Sequence, residues 1–196
     1  LEVPLGGMPG VVGWADLPAS ATLWGAGTAQ DGATTWIYGT RAAAQGTGRD
    51  LLLAQAPTAS AGDPSTWRYR TAAGWSTDEH DAVVVLAGSV STVPSARASQ
   101  GRVVIVTKPG EFLDPRVAAL SAPHPWGPWR LRVLLREAST PTRLAYSPAL
   151  VDVLPGRPDV VLVNHTSTDL DALMSEGHLA DPRFHDVGRL AAARTA

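Results

Sequence analysis

The chain has 196 residues, a net charge of -2, 44% hydrophobic and 17% charged residues, which suits one medium domain with a sizeable core and is too apolar for a disordered segment. With no cysteine, disulfides and thiolate metal sites are excluded. The near-neutral balance and dispersed arginines exclude a bulk electrostatic pull toward nucleic acid or anionic lipid. The opening "LEVPLGGMPGVVGW" has no basic n-region and no long apolar core, so it does not read as a signal peptide. No segment reaches the ~18 apolar residues of a membrane-spanning helix.

Beyond that opening, most of the chain reads as short strands punctuated by Gly, Pro, Ser and Asp clusters. A first set runs "SATLWGAGTAQ", a turn at Asp31-Gly32, "TTWIYGTR", "DLLLAQAP" and "TWRYRTAAGW"; Asp-Gly between apolar runs is a hairpin signal. A second set runs "GSVSTVPSA", a turn near Gln100-Gly101, "RVVIVTK", "VAALSAP" and "WRLRVLLREA". A third runs "RLAYSPALVDVL", a turn through "PGRPD", "VVLVNHTS" and "PRFHDVGRL". Helix signals are few. "DPRVAALS" reads as one or two helical turns or as a strand with a proline start, and Asp169 to Glu176 as a short surface helix.

The second strand of each set is its most apolar, as expected of a strand buried on both faces. Sets of up to four antiparallel strands, repeating at a period of roughly 50 residues, are the signature of propeller blades. The predicted fold is therefore all-β, a partial β-propeller of about three blades over residues 20–76, 87–138 and 142–190 of a single domain, 1–196. A closed ring typically takes about 4–8 blades, so missing blades or a partner chain would complete it. A two-sheet β-sandwich is the alternative fold.

The stretch "SAPHPWGPWRLRVLLREA", Ser121–Ala138, sets Trp126 and Trp129 about Gly127-Pro128. Pro125 and Pro128 fix φ on either side of the glycine, so the corner is preset. It reads as structural closure between strands, with a rim platform for ligand as the alternative.

"LWGAG", "TWIYGTR", "STWRYRTAAGW", "GRVVIVTK", "HPWGPW", "YSPAL", "VVLVNHTSTDL" and "PRFHDVGRL", in that order, resemble a group of actinobacterial secreted proteins long catalogued as a domain of unknown function. The group looks like five-bladed β-propellers akin to arabinanase-type and fructosidase-type glycoside hydrolases. Some of its members are endo-D-arabinanases. The resemblance extends from about Trp14 to Leu190 and corresponds to the C-terminal three blades. It implies an extracellular, carbohydrate-active protein with a glycan ligand, acting on arabinan or a related furanoside. A non-catalytic binding or structural module is the alternative. The family's general-acid position on a middle innermost strand falls on "AGSVSTV", which holds no carboxylate.

Hydrolysis of a glycosidic bond needs two carboxyl groups flanking it. Asp31 and Asp63 read as turn formers, and Asp78, Glu79 and Asp81 as a solvated loop. Asp152, after the third opener, is the remaining candidate catalytic acid. Trp24, Ser91 and Tyr146 sit on the three openers and are the expected channel-lining residues, the two aromatics by stacking on a sugar face. Asn164 and His165, where a strand leaves the core, could donate to sugar hydroxyls. No histidine pair has metalloprotease spacing and no metal site is expected. No cofactor is predicted, with an axial calcium as an alternative that no motif supports. "GAGTAQDG" is not a dinucleotide fingerprint, because no helix follows it. No G-x-S-x-G is present, which leaves a serine-hydrolase elbow without a site.

Overall fold

The first hairpin joins Leu23–Asp31 (β1) to Thr34–Ala42 (β2). Its two-residue loop puts Gly32 in the left-handed region, at φ 59°, where glycine carries no Cβ penalty. A computed structural model describes residues 16, 17, 20–99, 102–151, 159–175 and 181–190. Beyond β2, Arg49–Pro57 (β3) pairs along the whole of β2, and Arg68–Thr71 (β4) and Gly74–Ser76 (β5) form the outer hairpin. β3 is buried without a break from Asp50 to Ala54. It is thus a strand covered on both faces, even more so than β2.

The second opener divides. Leu86–Val90 (β6) pairs with Arg49 and Leu51 of β3 and so closes the first sheet. Only Ser95–Ser99 (β7) opens the second, which continues with Arg102–Thr107 (β8), Arg116–Ala122 (β9) and Arg130–Arg136 (β10) in the order β10-β9-β8-β7. "DPRVAALS" is strand. Val117 to Leu120 are all buried, and four consecutive buried residues in so short a run fit a strand between two covered faces. The third sheet is Arg143–Val151 (β11), Val160–Ser167 (β12) and Arg183–Asp186 (β13). A short helix, Leu170–Ser175 (α1), lies between the last two, as expected.

The fold is all-β, and the described residues form three successive antiparallel sheets making an arc of a propeller. Two apolar seams join them, which is not the single interface of a sandwich. Tyr38, Leu51, Leu53, Val90, Val103 and Ile105 belong to the seam between the first and second sheets. Val104, Val106 and Ala119 meet Ala145, Val161 and Val163 between the second and third. A third cluster covers the other face of the first sheet, where Trp24, Ile37, Leu52 and Tyr69 pack with Trp67. One expectation fails: β12 alternates, with Val161, Val163 and His165 buried and Val160, Leu162 and Asn164 half-buried. Among the described residues no further sheet covers its second face.

The "PWGPW" corner is tied to the first seam. The fully buried Tyr38 hydroxyl donates to the carbonyl of Pro125 at 3.0 Å, and its ring meets Trp129 edge-on. Burial pushes the phenol's pKa well above its ordinary value of 10.0, because the charged form would lose its water. The unfolded chain releases this proton above pH ~10 while the fold retains it, so the contribution present below that pH is lost as pH rises through it. Tyr38→Phe is expected to cost about 1–2 kcal/mol near neutral pH by orphaning the carbonyl. It should also flatten the alkaline fall in stability. Urea unfolding at pH 8 and 11 checks both, and an unchanged alkaline slope would refute the second.

Candidate functional site

The three inner strands converge on an open cleft of about 420 Å³. β1 contributes Gly25–Thr28, the segment entering β7 contributes Val93 and Pro94 and β7 itself Ser95 and Ala96, β11 contributes Ser147–Ala149, and Asn164 reaches in from β12. Two of these strands are irregular at the cleft. The β1–β2 register shifts between Trp24 and Gly27, and the β11–β12 register between Tyr146 and Ala149. Such bulges unpair backbone groups and re-aim side chains, and they collect beside functional sites. Ser147 sits at φ 42°, a left-handed conformation that costs a serine energy. Asn164 Nδ2 donates to the Ser147 carbonyl at 3.1 Å and pins that bulge.

The lining is small and neutral. Apart from Val93 and Asn164 the lining is Gly, Ala, Ser, Thr and Pro, which keep the cleft open, and no charged side chain is among the lining residues. Gly27 is fitted tightly, since a Cβ there would come 2.6 Å from the Pro94 carbonyl oxygen. The cleft can therefore accept and donate hydrogen bonds to an uncharged polar ligand, but its walls hold no group to act as acid or base.

Trp24 is not in the cleft. It is 4% exposed and packs on Trp67 and Tyr69, with ring centroids 6.4 and 5.0 Å away, and its Nε1 donates to Glu79 Oε1 at 2.8 Å. The bulge after it separates its facing from that of Gly27, and Gly39 leaves room for its ring. Ser91 is likewise sequestered. It follows β6 rather than opening β7, and its N and Oγ lie 2.8 and 3.0 Å from Thr107 Oγ1. Tyr146 is half-buried, directly before the lining residues and not among them. Asn164 lines the cleft. His165, one residue on, points the other way into the second seam, 1% exposed, with Nε2 3.4 Å from Glu137 Oε2. Asp152 lies outside the described residues.

The acidic loop is occupied with its own structure. Asp78 accepts from the His80 amide, Asp81 from Ser76 Oγ, and Glu79 from Trp24. Asp63 caps a short turn by accepting from the Ser65 amide. The cleft residues that sequence reading missed carry one signal, proline in an inner strand: "VPSA" and "SPAL" interrupt pairing where an uninterrupted strand would run.

Residues 14–169 match the family described as a domain of unknown function, DUF5005. The chain belongs to that family. No curated protein matches the sequence. Among solved structures this DUF5005 chain is similar to an endo-1,4-beta-xylanase from Bacteroides thetaiotaomicron VPI-5482, at 16% identity and a TM-score of 0.46 over 85% of this chain and 53% of that one. It is similar to a thermostable family-43 glycoside hydrolase, at 14% identity and a TM-score of 0.40 over 83% and 53%. A third, described as a glycoside hydrolase of Parabacteroides distasonis ATCC 8503, gives 13% identity and a TM-score of 0.41 over 87% and 52%. The DUF5005 chain spans about half the length of each.

Proposed function

We propose that this chain is the glycan-binding arc of a carbohydrate-active, glycoside-hydrolase-like propeller, and that its axial cleft takes an uncharged furanoside such as arabinan. The observation that carries the reading is the convergence of all three inner strands on one open, neutral cleft. Bulged backbone and the amide of Asn164 suit sugar hydroxyls, which need donors and acceptors at fixed positions but no counter-charge. Hydrolysis would require two carboxyl groups about 5–9.5 Å apart across the scissile bond. The described lining supplies neither, so in this reading they come from Asp152, from further blades or from a partner chain. The site of action would be extracellular, where such polymers lie.

The test is direct. Incubated with arabinan, the purified chain is expected to bind weakly and to release no new reducing ends. Asn164→Ala is expected to weaken binding roughly tenfold, the ~1–1.5 kcal/mol of a hydrogen bond and the bulge it holds. Turnover by the chain alone would overturn the division of labour, and its loss in Asp152→Asn would name the acid. Absence of furanoside binding would sink the proposal.

A further inference from the structure

Away from the cleft, and sharing no residue with it, three tryptophans meet at the junction of the first and second sheets. Trp36 of β2 and Trp75 of β5 stack with centroids 6.1 Å apart and planes 28° apart. Trp126, from the proline corner, meets both edge-on at 6.3 and 6.1 Å. His124 is exposed and lies parallel to Trp126 at 5.4 Å. All three tryptophans remain half-buried rather than sealed.

Arg70 of β4 decides what this cluster is for. Its guanidinium carbon lies 4.9 Å from the Trp126 ring centroid and 5.6 Å from that of Trp75. Its Nη1 donates to the Gly74 carbonyl at 3.1 Å, which holds the fork in place. That is one of five N–H donors. Arg70 makes no ion pair among the described residues, although Arg41, Arg49, Arg97, Arg116 and Arg183 each do. A guanidinium over indole faces is held by cation–π attraction and keeps its remaining donors for a counter-charge. Here a preset cation, with one side-chain hydrogen bond among the described residues, stands on two indoles, one of which also stacks with an imidazole.

We propose that Arg70, Trp75, Trp126 and His124 form a second glycan subsite, one that takes a sugar ring bearing a carboxylate, a uronic acid unit. The C–H groups of such a ring pack on the half-buried indole edges, because the ring faces of Trp126 and Trp75 are engaged by Arg70, His124 and Trp36. Its carboxylate pairs with the guanidinium fork, whose planar geometry matches it. His124, at the exposed rim, donates to a ring hydroxyl. A neutral sugar would leave the guanidinium without its counter-charge, and the cluster contains no acid of its own. The subsite does not depend on the axial cleft reading, because it uses other residues and an opposite ligand charge.

The experiment is calorimetric titration of the full chain with trigalacturonate, with its fully methyl-esterified form and with an acidic peptide, tetraglutamate. Trigalacturonate is expected to bind saturably and to quench tryptophan fluorescence. The ester keeps the rings and loses the charge, so it is expected to bind about tenfold more weakly or worse. That comparison uses the unaltered protein and needs no variant. Arg70→Gln is expected to remove the preference for the acid form, Arg70→Lys to retain part of it, and Asn164→Ala to leave it intact while weakening arabinan binding. No binding of trigalacturonate, equal binding of acid and ester, equal binding of tetraglutamate, or a preference that persists in a folded Arg70→Gln would overturn the proposal.

Discussion

Replacing Lys108 with alanine is expected to destabilise the fold by about 3–5 kcal/mol, from two buried carbonyls left unpaired at about 1–3 kcal/mol each and the cavity left behind. Lys108 is the chain's one lysine and is fully buried. It stands just past β8, and its Nζ donates to the Phe112 carbonyl at 2.8 Å and to the Ala145 carbonyl at 2.5 Å. Ala145 belongs to β11, so one ammonium sews the second sheet to the third. Alanine would orphan both carbonyls and leave a cavity beside Ala145. At roughly 2–4 °C per kcal/mol for a chain of this size, melting should fall by roughly 6–20 °C.

The same residue sets a pH dependence with a defined sign. Burial lowers the pKa of Lys108, opposed by the charges of Asp114 and Glu137. A lowered amine pKa means that the unfolded chain binds more protons than the fold between the folded pKa and about 10.4. Stability from this group therefore rises with pH across that window. Lys108→Met preserves the length of the side chain and removes the titration, so its stability should lack this rise. Urea midpoints from pH 7 to 10 compare the two, below the range in which Tyr38 acts in the opposite direction. A Lys108→Ala protein with an unchanged midpoint would show that the second seam does not rely on this pin.

The blade pattern was legible because Gly, Pro and Asp punctuate it. The first hairpin turns one residue later than Asp31-Gly32, on Gly32 and Ala33, and Leu170–Ser175 is helical within the predicted Asp169–Glu176. What the pattern lacked was the parity of side chains at a bulge. Trp24 and Gly27 lie on one opener, and two extra residues between paired positions reset which face each presents. Asn164 and His165 show the same principle at its simplest. Successive residues on a strand face opposite ways, so of two adjacent candidates one lines the cleft and the other fills the seam.

The division of "AGSVSTVPSA" between two sheets was not legible, because which neighbour a strand joins is decided by tertiary contacts. Gly88 at φ 55° donates to Asp50, and this holds β6 on β3, while Ser91 turns to Thr107. Pro94 is the local mark of the break. The cleft was legible as a place, the meeting point of the openers, and not as a set of side chains. Its walls are made of small residues whose role is to be absent, and a search for aromatic and acidic groups passes over them.

Gly48→Ala is expected to reach the lower end of the loss caused by Lys108→Ala, for a backbone reason. Gly48 immediately precedes β3, where three segments of main chain converge. A Cβ there would collide with the Pro109 carbonyl oxygen and lie 2.6 Å from that of Gly88. Neither obstacle is a side chain that can rotate away. Relief requires β6 or the segment after β8 to move off, and both are anchored nearby: Thr40 Oγ1 donates to the Thr92 carbonyl at 2.9 Å, and Thr92 Oγ1 to Glu111 at 3.0 Å. Overpacking typically costs about 1–3 kcal/mol where side chains can adjust; with backbone on both sides the upper end, about 3 kcal/mol, is expected, or roughly 6–12 °C in melting. Gly62→Ala is the matched control. A Cβ at Gly62 meets nothing within 4 Å, and removing a glycine at a permissive position stabilises by about 0.4–1 kcal/mol through the unfolded chain. Paired urea titrations of the two variants separate the effects. Equal midpoints would mean that the 46–48, 86–90 and 107–110 segments are free to part, and that the first seam is held by its apolar side chains alone.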